Sequence, residues 1–261
     1  MNKNKQALLT ILETKAIYPV FQPIVNLENG NVVAYESLSR IENKNIDINI
    51  EELFCLAEAY GCVWKLEKLC RDKALKVSVH KPSGTKIFLN VDGQIFQDSN
   101  FISGFTNRKL EKFGLLNEDI VFEITERTDI ENYVLLQAIM NHYIDQGYQI
   151  ALDDVGAGYS GLNRVVNTTP NYLKADIELV RNIHLSKSKQ SMMKLLVEYC
   201  DEMGLKLIAE GIETQEELEC ICNLHVHYGQ GYYLGLPDCK FNGVSSQALQ
   251  YLMNIHGMIK T

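Results

Sequence analysis

No run in this 261-residue chain reaches the roughly 18 consecutive apolar residues that a membrane-crossing helix needs. The N-terminal candidate, Ala7 to Leu12 behind Lys3 and Lys5, is cut short by Glu13. It reads as an amphipathic helix over about 3–16 rather than as a secretion signal. Proline is scarce, at 5 residues, and the 17 glycines follow no period, which excludes collagen-like and low-complexity material. No Pro/Gly/Ser-rich linker, charge block or internal repeat divides the sequence, so a single domain over 1–261 is expected. A basic excess is also missing: 25 Lys and Arg face 33 Asp and Glu, a formal charge of −8. That balance excludes broad electrostatic binding to a nucleic-acid polymer or an anionic lipid surface. The 7 cysteines are odd in number and scattered, as suits reduced thiols in a cytoplasm. Cys220, Cys222, His225 and His227 crowd together, but no Cys-x₂-Cys knuckle is present, and on a helix Cys220 and Cys222 point apart. End-of-helix packing accounts for them better than zinc.

What the chain has is enough apolar material for a large core: 46% hydrophobic residues against 22% charged. Short β-type runs alternate with longer helical ones. Val20–Val25 and Asn31–Tyr35 flank Glu28-Asn29-Gly30, a hairpin signal, so the chain opens with an antiparallel pair. Residues from about 50 to 80 read as helical. Beyond them, apolar runs lead in turn into Asn90, Glu123, Asp153 with Asp154, Lys174 and Glu210, and helical stretches fill about 128–146, 183–203, 213–224 and 245–255. Strands this apolar, alternating with helices, predict a parallel sheet buried on both faces, with enough units to close into a barrel.

In such barrels the carboxyl ends of the strands emerge on one face. Glu36, Asn90, Glu123, Asp153, Asp154, Lys174 and Glu210 would then converge. Any one of them is what begins an ordinary loop; the whole series at successive strand ends reads as a site. Carboxylates with an amide oxygen suit hard divalent cations such as Mg²⁺ and Mn²⁺. At a strand end both carboxylates of Asp153-Asp154 can face the pocket, one bridging two metals and one holding the second. Two such ions clamp the attacking and leaving oxygens of a phosphoryl displacement. Six acids, these five and Glu213, would repel one another without metal, so cations would make the pocket hospitable to phosphate.

Seven motifs, in order, resemble those of the EAL-domain cyclic di-GMP phosphodiesterases, over about Ile17 to Pro237. Tyr35-Glu36-Ser37-Leu38-Ser39-Arg40 stands where the family has its Glu-Ala-Leu signature, and Phe21-Gln22-Pro23-Ile24 is similar to the element before it. Phe122-Glu123-Ile124-Thr125-Glu126 resembles Glu-Leu-Thr-Glu, and Asp153-Asp154-Val155-Gly156-Ala157-Gly158-Tyr159-Ser160 resembles Asp-Asp-Phe-Gly-Thr-Gly-Tyr-Ser. Leu173-Lys174-Ala175-Asp176, Ala209-Glu210-Gly211-Ile212-Glu213-Thr214 and Gln230-Gly231-Tyr232 complete the series.

The resemblance implies a modified TIM-type (β/α)8 barrel with an antiparallel first strand, the N-terminal helix preceding a barrel over about 17–257. It implies metal-dependent hydrolysis of cyclic di-GMP to linear pGpG, with two Mg²⁺ or Mn²⁺ ions per site. By motif, Glu36, Asn90, Glu123 and Asp153 would hold the first ion, and Asp153 and Asp154 the second. Lys174 and Glu210 would handle the water, supported by Glu213. Arg40, whose planar fork suits phosphate, and more distantly Gln22 and Gln230, would contact substrate. Glu126 would anchor a flexible loop after Asp154. A homodimer near that loop is left open. The departures are Ser37, Val91-Asp92 after Asn90, Val155 and Ala157; they bear on turnover and loop packing, and no expected metal ligand is missing. The alternative on the same fold is a non-hydrolytic cyclic di-GMP receptor or interaction module. An unrelated barrel metallohydrolase with paired carboxylates is the more distant rival.

Overall fold

The computed structural model describes residues 3–43, 46, 48–124, 133–156 and 161–255. After helix α1 (Lys3–Thr14), strands β1 (Ile17–Asn26) and β2 (Val32–Ile41) form the expected hairpin, longer than the sequence pattern suggested. Its turn is shaped by Asn26, whose side chain accepts from the amides of Glu28 and Asn29, and by Gly30 at φ +71°. The segment read as helical over about 50–80 holds two helices, α2 (Ile50–Ala59) and α3 (Val63–Ser78). Gly61, at φ +63°, breaks them, and a capping box between Asn49 and Glu52 starts the first.

From there strand and helix alternate: β3 (Lys86–Val91), α4 (Phe105–Phe113), β4 (Ile120–Ile124), α5 (Tyr133–Ile144), β5 (Gln149–Val155) and α6 (Gly161–Val166). Then come β6 (Tyr172–Ala175), α7 (Ile177–Val180), α8 (Lys187–Met203), β7 (Lys206–Ala209), α9 (Gln215–Asn223), β8 (Tyr228–Gly229) and α10 (Ser246–Ile255). The helix expected over 183–203 begins as a separate 3₁₀ turn, because Ser186 caps α8 and restarts the chain there.

The eight strands close in sequence order. β1 runs antiparallel to both β2 and β8, and all other neighbours are parallel. The expected modified barrel with an antiparallel first strand is the observed one. Its apolar material divides in two. A large shell lies between strands and helices, and a small interior plug consists of Ile24, Ala34, Phe88, Val121, Ala151 and Ile208, with Tyr172 and Tyr228 packed against it. Strands buried on both faces are why the sequence shows near-continuous apolar runs. No helix among the described residues is long and apolar enough to cross a membrane. All seven cysteines are free thiols.

Candidate active site

The interior plug fixes the site by arithmetic. Side chains of a strand return to the same face every second residue. Two positions beyond Ala34, Phe88, Val121, Ala151, Tyr172, Ile208 and Tyr228 stand Glu36, Asn90, Glu123, Asp153, Lys174, Glu210 and Gln230. On the reversed β1, two positions before Ile24, stands Gln22. Each strand thus contributes one polar residue to a ring directly above the apolar layer, near or just after the end of β3 to β8 and midway along the longer β1 and β2. The sequence-based set converges, and Gln22 and Gln230, the weakest members by motif, are full members by register.

Lys174 is the hub, at 1% exposure. Its Nζ contacts Oε1 of Glu123 and lies 2.6 Å from Glu210 Oε1, 3.5 Å from Glu36 Oε2 and 3.6 Å from Asp153 Oδ1. Glu36 is held from the other side: Asn90 Nδ2 donates to its Oε1 at 3.1 Å, and Gln230 Nε2 to its Oε2 at 2.6 Å. Gln230 also donates to Gln22 Oε1 at 3.2 Å, and Gln22 in turn to the Gly235 carbonyl at 3.1 Å. The two glutamines assigned to substrate therefore also orient an acid.

One lysine cannot balance these acids. Burial pushes the Glu123 carboxyl well above the usual range, and the Glu36 charge adds to it against the pull of Lys174. Burial likewise raises Glu210, again despite Lys174. For Asp153, burial acts upward but is outweighed, chiefly by Lys174, and the group sits below its usual value. Lys174 itself is raised: burial opposes its charge, and the carboxylates led by Asp153 and Glu123 overcome that.

Asp154 reaches the site by a different device. The β5–β6 register slips between Leu152 and Val155, and Asp154 takes φ +55°, a left-handed conformation rare outside glycine. The bulge frees Asp154 from alternation, so that carboxylate oxygens of Asp153, Asp154 and Glu210 all lie within 4.8 Å of one another. A second group, Glu36, Glu123 and Glu210, meets the same limit. Glu123 Oε2 and Asp153 Oδ1 are buried with no hydrogen-bond partner among the described residues. Oxygen-only clusters suit hard divalent cations, and Glu123 Oε2 is a buried carboxylate oxygen that no donor among the described residues reaches. The residues present fit the expected metals.

Two cavities open on the ring. One, of about 360 Å³, runs past Glu36, Arg40, Asn90 and Asp153 toward α2 and α3; the other, of about 290 Å³, is lined by Gln22, Glu210, Glu213, Gln230 and Tyr232. They share Glu36, Leu38 and Asp154. Arg40 donates from Nη1 to the Ser39 carbonyl at 2.9 Å. Glu213 is exposed on the wall of the second cavity, outside both acid groups. Glu126 and Ala157 lie outside the described residues. Gly231 approaches so closely that an added Cβ would stand 2.2 Å from the Ile212 backbone.

A buried pair that sequence reasoning missed adjoins the first cavity. On α3, Arg71 Nη2 contacts Glu67 Oε1, and Glu67 Oε2 accepts from the Asp92 amide at 3.3 Å, two residues beyond Asn90. Its signal was present: Trp64, Glu67, Arg71, Ala74 and Ser78 share a buried stripe at helical spacing, so two charges occupy core positions. The Cys220, Cys222, His225 and His227 group forms no metal-binding cluster among the described residues.

The EAL domain family model matches residues 5–237. Among curated proteins, the probable cyclic di-GMP phosphodiesterase PdeG of Escherichia coli (strain K12) is 25% identical over 238 residues, 89% of this chain. The chain spans 47% of that relative's length. Among solved structures, a standalone EAL protein from Vibrio cholerae O395 in its c-di-GMP-bound form superposes with a TM-score of 0.76 at 27% identity, covering 89% of this chain and 97% of that one. A manganese and cyclic di-GMP complex of BlrP1 from Klebsiella pneumoniae gives 0.76 at 26% identity, covering 85% and 56%.

Proposed function

This chain belongs to the EAL domain family, and on that premise we propose that it hydrolyses one phosphodiester bond of cyclic di-GMP, releasing linear pGpG, with two Mg²⁺ or Mn²⁺ ions. The observation that carries this reading is the ring: four carboxylates on one buried ammonium, with Asp154 turned in beside them, a surplus of negative charge that cations must balance. The double cavity supports the substrate assignment. Its lobes meet at Glu36, Leu38 and Asp154, which matches a ligand with a base on either side of a phosphodiester. The complexes of similar proteins with this dinucleotide point the same way.

Glu36, Asn90, Glu123 and Asp153 would hold the first ion, and Asp153 with Asp154 the second. When bound, such a pair supplies Lewis-acid stabilisation at phosphorus and makes water more acidic. The chain's own residues do the rest. Lys174, 2.6 Å from Glu210, orients that carboxylate to take the proton of the attacking water. The water oxygen bonds to phosphorus, the bond from phosphorus to the 3′ oxygen breaks, and that oxygen takes a proton from solvent to leave as a hydroxyl, while Glu210 returns the proton it accepted to solvent. Arg40 offers a planar fork to the non-bridging phosphate oxygens. Gln22 and Gln230 contact substrate while fixing Glu36, and Glu213 supports the water from the cavity wall. The free thiols suit a cytoplasmic setting.

The test is turnover. Purified protein with cyclic di-GMP and Mn²⁺ or Mg²⁺ should yield the linear dinucleotide by liquid chromatography, and chelator should stop it. Tight binding of the dinucleotide in saturating Mn²⁺ with no product would establish the receptor reading instead.

A further inference from the structure

The three acids assigned above to the first cation, Glu36, Glu123 and Asp153, are all engaged by Lys174 already. The ammonium is sealed in by the ring, at 1% exposure, on an interior-facing position of β6. It has three donors and four carboxylates around it. A divalent ion entering among the same oxygens meets a fixed like charge at close range, and in a buried site that repulsion is weakly screened.

We propose that Lys174 is the ring's built-in counter-ion, holding the acids together in the metal-free protein and competing with the divalent cation for Glu36, Glu123 and Asp153. Without it, the acids would face one another uncompensated in a buried space. With metal arriving, the ammonium must give up those three and settle on the remaining carboxylate, Glu210, which already lies 2.6 Å away and, although it stands in both oxygen clusters, is assigned above to the attacking water rather than to an ion. Glu210 is thus a positioning residue for Lys174 as well as a proton acceptor. Lys174 keeps metal affinity low, so the ions exchange rather than lock in. This inference rests on reading the ring as a divalent-cation site.

The experiment is Mn²⁺ binding to chelator-treated protein, followed by calorimetry and by the free-ion paramagnetic resonance signal, with no substrate present. Lys174→Met, unbranched, one atom shorter and uncharged, should bind Mn²⁺ at least about ten-fold more tightly than the wild type, as removing a nearby like charge from a cation site demands. Its melting temperature should also rise further on Mn²⁺ addition than the wild type's does. Wild-type binding with no gain in the variant overturns the inference alone. No binding by either protein overturns both the inference and the metal reading on which it rests. Should the variant fail to fold without metal, the wild type carries the test by nitrogen NMR of its lysine ammonium groups under Mg²⁺ titration. A protected ammonium resonance that shifts in step with Mg²⁺ supports the competition, and one that stays unmoved while Mg²⁺ binds overturns it.

Discussion

Two groups of buried charge lie on opposite faces of β4. Inside the barrel, Glu123 and its neighbours set four carboxylates around Lys174. Outside it, behind Phe122, one carboxylate, Glu67, meets one guanidinium, Arg71. The outer pair is balanced and well served. Arg71 donates to Thr106 at 3.1 Å and lies over the rings of Phe122 and Trp64, with centroids at 4.9 and 5.6 Å, while Glu67 also receives the Asp92 amide. Each group keeps a buried polar atom with no hydrogen-bond partner, Arg71 Nε outside and Glu123 Oε2 inside, but the inner group alone is out of balance, four carboxylates to one ammonium. A balanced buried pair can serve the fold by itself. A surplus of one sign is held in place by the fold and waits for something from outside. Charge balance, not burial, separates support from site.

The largest expected effects come from breaking the inner group. Glu36→Gln and Lys174→Ala should each lower turnover by about a thousand-fold, since ligand and electrostatic contributions of this kind carry several kcal/mol of a barrier. With Mn²⁺ present neither should unfold the domain, which circular dichroism and thermal melts will check; in chelator Lys174→Ala should melt below the wild type, its buried acids left uncompensated. Glu123→Gln is sharper still: it should abolish activity while leaving the melting temperature in chelator unchanged or raised, because the carboxylate it removes is one that burial and Glu36 disfavour. A large loss of stability in Glu123→Gln would mean that the ring is supportive after all.

The outer pair should show the reverse. Arg71→Met, measured at pH 8 where Glu67 is ionised, should cost about 3 kcal/mol of stability in denaturant unfolding, the usual result of orphaning a buried charge. Turnover per folded molecule should fall far less than for the ring variants. An equal fall would place the pair in the catalytic machinery through Asp92 and Asn90.

The pH dependence sharpens the same contrast. Burial pushes Glu67 up to about 7 against the pull of Arg71, from an ordinary value of 4.5. Between those values the folded chain keeps a proton that the unfolded chain has lost, so stability falls as pH rises from about 4.5 to about 7 and levels off above. The loss from this group is on the order of 3 kcal/mol. Glu67→Gln should flatten that slope in unfolding curves taken from pH 4.5 to 8. A slope unchanged in the variant would assign it to other groups.

Most of the barrel and nearly all of the ring were legible in the sequence, because both rest on local periodicity. Apolar strands ending in a polar residue at every second position specify closure and the rim together. What escaped lacked such a pattern. β8 has two residues, too few to alternate, and is recruited by its neighbours β1 and β7. Helix α4 is nine residues long and mostly polar, with Phe105, Thr106 and Leu110 alone buried. Glu67 and Arg71 share the helical spacing of Trp64 and Ala74, but four apart they equally have the spacing of a solvent-facing ion pair, and the aromatic walls supplied by β4 and α5 decide for the interior. Tertiary context, absent from any local window, decided each of these.

The smallest effect concerns the one acid of the site whose backbone, among the described residues, is strained. Asp154 holds φ +55° at the β5 bulge, a conformation that costs a non-glycine residue about 1 kcal/mol and that asparagine tolerates better than most. Asp154→Gly should therefore raise stability by about 1 kcal/mol in denaturant unfolding while turnover collapses with the loss of the second ion's carboxylate. Asp154→Asn should lose turnover comparably but gain little stability. The two variants separate the side chain from the backbone. If glycine brings no stabilisation, the bulge is relaxed in solution, and the placement of Asp154 beside Asp153 and Glu210 owes nothing to stored strain.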